Sequence, residues 1–275
     1  MKKRKFSPNQ IITFIVLFIL ALFFIFPFYW IVTGAFKLQN VAVALPPEWF
    51  PKEPTFQNFI DLFKNPAFDW FLNSVIISFS TMVLTCVTAT LAGYVLGKKK
   101  FYGSKFIFVM FIIAMALPKQ VILIPLVKLV AAWGFGDTLT AVILPAVGWP
   151  FGIFLMKQFS QTIPDELIES ARMDGCSEWG IFTKIALPLV KPGVGALAIF
   201  TFISSWNDYF MQLIFLQSRS NLTLPLGVAT MQQEFSSNYG VIMAGATLAS
   251  LPMVLIFVFF QKYFTQGITM GAVKG

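Results

Sequence analysis

From Ile11 to Phe36 no charged side chain interrupts the chain, and five further runs of comparable length and apolarity follow it. A helix rises about 1.5 Å per residue, so crossing about 30 Å of hydrocarbon takes about 20 mostly apolar residues. The runs that reach this length are Ile11 to Phe36, Phe71 to Gly97, Phe106 to Val127, Leu139 to Phe159, Val194 to Gln217 and Val241 to Phe264. They predict an all-α integral membrane protein with six transmembrane helices. Composition excludes the soluble alternative, because 57% of the 275 residues are hydrophobic and only 12% charged, too few charges to cover a water-facing exterior. Two cysteines rule out a disulfide scaffold or a Cys-based metal site, and the lack of His removes imidazole ligation and Ser-His-Asp chemistry.

Orientation follows from where the basic residues fall. With six spans both termini lie on one side, and fourteen of the 20 Lys and Arg residues belong to that side. They are Lys2, Lys3, Arg4 and Lys5, then Lys98, Lys99, Lys100 and Lys105, then Lys157, Arg172, Lys184 and Lys191, and finally Lys262 and Lys274. That side is therefore expected to be cytoplasmic, and the formal net charge of +8 reads as a topological address in preference to a nucleic-acid patch. The basic leader resembles the start of a signal peptide, but the apolar run behind it is longer than a signal core of about 7–15 residues, so the first span is expected to stay uncleaved. The resulting division is a cytoplasmic N-terminus at 1–10, a first transmembrane helix at 11–36, an external loop at 37–70, a five-helix core at 71–264 and a cytoplasmic tail at 265–275.

Prolines punctuate several spans. Pro118 and Pro125 fall in the third, Pro145 and Pro150 in the fourth and Pro252 in the sixth. Inside a membrane such breaks are tolerated where neighbouring helices or a water-filled cavity satisfy the freed backbone groups, which suits a bundle enclosing a path as well as ordinary packing irregularity. Gly93-x-x-x-Gly97 permits close helix approach, although the pattern arises easily in apolar sequence. Outside the membrane, Leu45-Pro46-Pro47-Glu48-Trp49-Phe50-Pro51 carries aromatics that suit either an interfacial belt or a surface meeting a partner protein.

The cytoplasmic connection from Ser160 to Pro192 has the pattern of folded structure. Thr162, Pro164, Asp165 and Glu166 mark a helix start, where carboxylates meet the positive end of the helix dipole. Asp174-Gly175 marks its stop, with Gly free to adopt the left-handed conformation. Between them Leu167, Ile168 and Ala171 share one face. A second start at Ser177-Glu178 leads into Trp179, Phe182, Ile185 and Ala186 at helical spacing, and Leu187-Pro188 is expected to end that run. The first of these helices carries Asp165, Glu166, Glu169 and Asp174 against Arg172 alone, the wrong charge for a lipid-surface helix. An acidic amphipathic helix is better suited to a groove on a partner protein.

These residues also resemble a known family. Glu169-Ser170-Ala171-Arg172-Met173-Asp174-Gly175, followed after Cys176 to Lys184 by Ile185-Ala186-Leu187-Pro188, is similar to the EAA loop of permease subunits of binding-protein-dependent ABC importers, with Ser170 where Ala is usual. Ser205-Trp206-Asn207-Asp208, Leu222-Thr223-Leu224-Pro225-Leu226 and the end Gln266-Gly267-Ile268-Thr269-Met270-Gly271-Ala272-Val273-Lys274-Gly275 resemble its carbohydrate-uptake subfamily, in particular the shorter partner of maltose-type and glycerol-phosphate-type permease pairs. The resemblance implies a type I importer permease fold in a prokaryotic inner membrane. It implies a second, similar permease, two cytoplasmic ATPase subunits and an extracytoplasmic solute-binding protein as partners. The loop at 160–192 would hold a coupling helix seated in an ATPase cleft, with Glu169 as polar anchor and Gly175 as the turn. Leu167, Ile168, Ala171 and Met173 would give the apolar contact, Ser170, Ile185, Leu187 and Pro188 would complete the motif, and Asp174 would cap the next helix or reach a backbone N–H.

No G-x-x-x-x-G-K-[ST] phosphate loop is present, so the chain is expected to bind no cofactor itself, with ATP and Mg held by the partner ATPase and hydrolysis carried out there. For the solute path, Ser205, Trp206, Asn207 and Asp208 form the densest polar group in any span, and Asp208 is expected to face a cavity because an intramembrane carboxylate is costly elsewhere. A helix-helix hydrogen bond or a contact with the partner permease are alternative roles for it. The stripe of Asn73, Ser74, Ser78, Ser80, Thr81, Thr85 and Thr88 reads more readily as packing between helices. A permease for glycerol phosphate or a polyol, and an ion-coupled secondary transporter, are the competing functions. The second would need more intramembrane ionisable groups than Asp208.

Overall fold

The apolar runs become helices that carry Pro27, Pro145 and Pro252 within them, while breaks fall at Leu117-Pro118 and at Asn207-Asp208. The computed structural model describes residues 8–42, 44–234 and 238–272, and no strand occurs among them. Lys2, Lys3, Arg4, Lys5 and Lys274 lie outside the described residues. By length and composition four spans qualify outright, and six qualify when each of two bent helix pairs is taken as one span.

The chain divides into two compact units, one from Met1–Ala67 with Gly227–Leu251 and one from Phe68–Leu226 with Pro252–Gly275. In the first unit, α1 (Pro8–Ala35) is a mostly apolar helix with Pro27 inside it, and none of its membrane-crossing window is buried within the chain. The short helices α2 (Gln39–Ala42) and α3 (Gln57–Phe63) lie in the segment expected as an external loop. Asn58 on α3 is buried and donates through Nδ2 to the carbonyls of Ala35 and Lys37 at 2.9 and 2.7 Å, which ties α3 to the end of α1.

The second unit begins with α4 (Ala67–Lys98), which packs near α8 (Pro150–Gln161). A Cβ on Gly93 would lie 2.7 Å from the Lys157 nitrogen, closer than any real side-chain carbon sits, so Gly93 is the point of closest approach between the two backbones. Three of the six expected spans, the third, fourth and fifth, are not single continuous helices. The third is split into α5 (Ser104–Ala116) and, after a 3-10 turn at Lys119–Ile122, α6 (Leu123–Ala132), with a bend of 101°. Pro118 is the cause, because a residue before proline is pushed out of the α region, and Leu117 is extended at φ −77, ψ 124. The fourth span is α7 (Leu139–Val147) followed by α8.

The connection between the fourth and fifth spans contains α9 (Asp165–Met173) and α10 (Glu178–Ile181), the latter continuing through a π-helical stretch at Phe182–Ala186 into α11 (Leu187–Leu189). Leu187-Pro188 therefore does not end the run. Proline is tolerated in the first turn of a new helical segment, and the chain turns by 74° only between Leu189 and Lys191. The fifth span is α12 (Lys191–Trp206), which stops short of Gln217 and is followed by a separate α13 (Tyr209–Phe215). The chain then runs into α14 (Leu224–Glu234) and α15 (Tyr239–Ala272), which is longer than the expected sixth span.

Candidate coupling loop and membrane path

The boundaries of α9 match the residue chemistry at both ends. Asp165 and Glu166 occupy its first turn, Arg172 its last, and Gly175 leaves it at φ +78, a conformation that favours glycine. Ser177 then caps α10, its Oγ accepting from the Gly180 N–H at 3.1 Å. Capping of the second helix thus belongs to Ser177 and not to Asp174, because the Schellman-like reversal at Gly175 places Ser177 at the start of the next helix.

The two faces of α9 have different fates. Ile168 and Ala171 are buried in a core shared with Ala89 and Tyr94 of α4, Met156 and Phe159 of α8, Ile181 and Phe182, and Leu197 of α12. Leu167, Glu169, Ser170, Met173 and Asp174 are exposed, Met173 at 87%. Ile168 and Ala171 are accordingly unavailable as docking contacts, since burial against this chain's own helices uses the apolar surface they would have offered. The exposed apolar side chains are Leu167 and Met173, joined by Trp179 on α10, which was missing from the expected contact set. Of the second motif segment, Ile185 and Leu187 are partly buried and Pro188 is exposed.

Charge fastens the helix pair to the C-terminal end of α4. Lys98, whose side chain is almost wholly covered, donates to the Ile163 carbonyl and pairs with Asp165 at 2.7 Å. Lys99 pairs with Glu178 and lies over the Tyr94 ring at 5.6 Å from its centroid, and Arg172 also reaches Glu178 at 2.9 Å. The Lys98 ammonium beside Asp165 holds that carboxyl below the usual carboxylate range. Sequence pattern marked the acids but gave no signal for their partners, which lie 67 and 79 residues away.

The four residues expected along a solute path separate into packed and polar-exposed groups. Trp206 is 1% exposed, stacked on Phe202 at 5.8 Å and edge-on to Phe71 at 6.1 Å, so it is a packing residue and not a path-facing one. Its aromatic neighbours take up the apolar area that a large ring would otherwise present. Ser205 is buried, and its carbonyl accepts from Gln212 Nε2 at 2.9 Å. Asn207 ends α12, with Nδ2 donating to the Ile203 carbonyl at 2.9 Å and approaching Met253 Sδ at 3.7 Å. Asp208 caps α13, its Oδ1 accepting from the Met211 N–H at 3.4 Å, while Oδ2 receives Lys119 Nζ at 2.7 Å. In the α4 stripe Ser74, Ser78, Thr81 and Thr85 are buried, Ser74 accepting from the Leu224 N–H at 2.8 Å, while Thr88 bonds back to Leu84 and Asn73 donates to the carbonyls of Ser220 and Leu222.

One further cluster was not marked in the sequence. Asp137, at φ +54, accepts from the N–H groups of Gln217 and Ser218 at 2.8 and 3.1 Å and from the Ser218 hydroxyl, and its carbonyl accepts from Asn221 Nδ2 at 2.7 Å. These donors hold its carboxyl below the usual range, the Ser218 hydroxyl foremost. Trp70 Nε1 donates to the Arg219 carbonyl at 2.7 Å, so the segment after α13 is held from two directions.

The chain is similar over nearly its full length to several transport proteins. It is 38% identical over 275 residues to the arabinooligosaccharides transport system permease protein AraQ of Bacillus subtilis, covering 98% of both chains. It is 32% identical over 271 residues to the diacetylchitobiose uptake system permease protein DasC of Streptomyces coelicolor, covering 98% of this chain and 96% of that one. Its fold is that of a chain in the crystal structure of a bacterial ABC transporter involved in the import of the acidic polysaccharide alginate, with a TM-score of 0.84 at 20% identity over 95% of this chain and 100% of that one. The family described as binding-protein-dependent transport system inner membrane component matches residues 89–270. With that match spanning the broken spans, the α9 and α10 pair and most of α15, the chain belongs to the inner membrane components of binding-protein-dependent transport systems.

Proposed function

We propose that this chain is one of two permease subunits of an ABC importer that carries a sugar or oligosaccharide inward. The observation that carries this reading is α9, a helix whose inner face is fixed in the chain's own core while Leu167, Glu169 and Met173 remain exposed beside Trp179. A helix anchored in this way transmits a push as a rigid body. ATP and Mg would be bound and hydrolysed on two separate ATPase subunits, with α9 seated in a cleft of one of them, and both termini would lie in the cytoplasm. Closure of the ATPase pair would move α9, and through Lys98, Lys99 and the shared core it would move α4, α8 and α12.

Carbohydrate as the solute class rests on the relatives, two of which are named for arabinooligosaccharides and diacetylchitobiose. An extracytoplasmic solute-binding protein would deliver it; a second structure of similar fold, with a TM-score of 0.56, is of a bacterial alginate ABC transporter in complex with an alginate pentasaccharide-bound periplasmic protein. The test is reconstitution with the partner permease, ATPase and binding protein. Uptake of labelled arabinooligosaccharide should require ATP, and Glu169→Lys should leave membrane insertion and ATPase assembly intact while separating ATP hydrolysis from uptake. Uptake by the chain alone on an ion gradient would overturn the reading.

A further inference from the structure

Two consecutive lysines at the end of α4 reach the α9 and α10 pair at separate points. Lys98 closes α4 and pairs with Asp165, the first residue of α9, at 2.7 Å. Lys99 follows directly, its N–H bonded to the Val95 carbonyl at 2.9 Å, and its ammonium pairs with Glu178 Oε2. Glu178 opens α10, and its other oxygen, Oε1, accepts from Arg172 Nε at 3.2 Å and Nη2 at 2.9 Å. Arg172 lies in the last turn of α9. One carboxylate therefore joins the end of α4 and the end of α9 to the start of α10.

The α9 and α10 hairpin is itself a local unit. Its turn is closed by the Cys176 N–H to the Ala171 carbonyl at 3.0 Å and the Gly175 N–H to the Arg172 carbonyl at 3.1 Å. What sets the angle of the hairpin on α4 lies outside that turn. The apolar layer beneath it, Ile168, Ala171, Ile181 and Phe182 against Ala89 and Tyr94, is held by burial, which has no directional preference. The charged contacts are directional and well spaced, because Asp165 and Arg172 stand seven residues apart on α9, about 10 Å along the axis at about 1.5 Å per residue. A helix held at both ends cannot pivot about either.

Glu178 is also what makes the second contact attractive. Lys99 and Arg172 both lie within hydrogen-bond reach of the same carboxylate, so without its charge two cations face each other and repel. The Lys99 ammonium, with Arg172 adding to it, holds the Glu178 carboxyl below the usual carboxylate range, so it is ionised at neutral pH. Loss of Lys99 or of Arg172 leaves one ion pair standing. Loss of the Glu178 charge turns two attractions into a repulsion.

We propose that Glu178, which stands outside both segments of the EAA-like motif, is a positioning residue for coupling that locks the far end of α9 to α4, so that hairpin and membrane helix move as one body. With α9 read as the helix that meets the ATPase, on which this role rests, the lock decides how much of its displacement reaches α4. Without it α9 keeps its buried inner face and its Asp165 contact, but swings about that end and delivers less of its movement.

The test uses the assembled transporter, reconstituted with both permeases, the ATPase and the binding protein, and reads labelled arabinooligosaccharide taken up per ATP hydrolysed. Glu178→Gln should lower that ratio several-fold, and Lys99→Gln or Arg172→Gln should each lower it less. Lys99→Gln added to Glu178→Gln should raise the ratio again, because the repulsion is removed. A fold defect or a simple loss of contact gives the reverse, a double variant no better than the single one, and that result overturns the proposal. So does a wild-type ratio in Glu178→Gln while Glu169→Lys lowers it, an outcome that leaves the coupling reading in place. Loss of the ATPase from the purified complex on Glu178→Gln makes Glu178 an ATPase contact and overturns the lock equally. As a second measurement, amide hydrogen exchange of α9 and α10 in the assembled complex should be faster in Glu178→Gln than in wild type and slower again in the double variant. Equal rates in all three overturn the lock, whatever the chain transports. If Glu169→Lys also keeps the wild-type ratio, the coupling reading itself fails and the exchange rates alone decide the role of Glu178.

Discussion

Lys119 Nζ lies 2.7 Å from Asp208 Oδ2, and the two residues occupy the breaks of two different spans, one just after Pro118 and the other between α12 and α13. The pair is separated by 89 residues of sequence, and it is partly open, with the Lys119 side chain 53% exposed and that of Asp208 17%. A half-open ion pair within membrane-crossing segments is tolerable only where water or a polar partner reaches it. The junction of the two breaks is thus a polar point, with Asp208 fixed by its cap to α13 and Lys119 the more exposed member.

Removing one partner leaves the other charge at low polarity. Asp208→Asn and Lys119→Gln should each lower the thermal stability of the detergent-solubilised chain, by on the order of 1 kcal/mol after allowance for exposure. The exchange Lys119→Asp with Asp208→Lys should recover part of the loss. A double-mutant cycle that gives no coupling would show the pair to be incidental.

The two faces of α9 should respond oppositely to an introduced carboxylate. Ile168→Asp buries a charge in the core around Met156 and Ile181, and should cost several kcal/mol and reduce the yield of folded chain. Leu167→Asp and Met173→Asp, on the exposed face, should leave unfolding temperature nearly unchanged while weakening association with the ATPase in a pull-down of the assembled complex.

Close approach at Gly93 is a packing constraint with a backbone atom opposite. Gly93→Val should destabilise by about 1–3 kcal/mol, because the Lys157 nitrogen belongs to the α8 backbone and cannot swing aside. Gly136→Ala, with open space around the position of a new Cβ, should be close to neutral in the same melt.

The link between Lys98 and Asp165 should depend on pH in one direction. Asp165 has a folded-state pKa below its ordinary value of 3.8, so its contribution is fully present above that value and is lost as pH falls through the lowered one. Hydrogen exchange of the α9 amides should therefore be unchanged by pairing state from neutral pH down to about 5 and should accelerate, relative to Asp165→Asn, only in stronger acid. Asp165→Asn itself should show the faster exchange at neutral pH, and added salt should narrow the difference because the carboxylate side of the pair is open to solvent.

Local chemistry in the sequence was enough to mark the apolar runs and both ends of α9. Length and apolarity specify a crossing helix, and Asp165, Gly175 and Ser177 carry their capping chemistry within a few residues. The same local reading could not foresee that Pro118 turns the third run by 101° or that Asn207-Asp208 divides the fifth, because hydropathy averages over a break that leaves composition unchanged. Periodicity also identified Leu167, Ile168 and Ala171 as neighbours without showing what covers them. Only the tertiary structure assigned Ile168 and Ala171 to the chain's own core, left Leu167 and Met173 open, and brought Lys98 to Asp165 and Lys119 to Asp208. A helix face is a local property fixed by 3.6 residues per turn, whereas the body against it is set by packing between segments far apart in sequence.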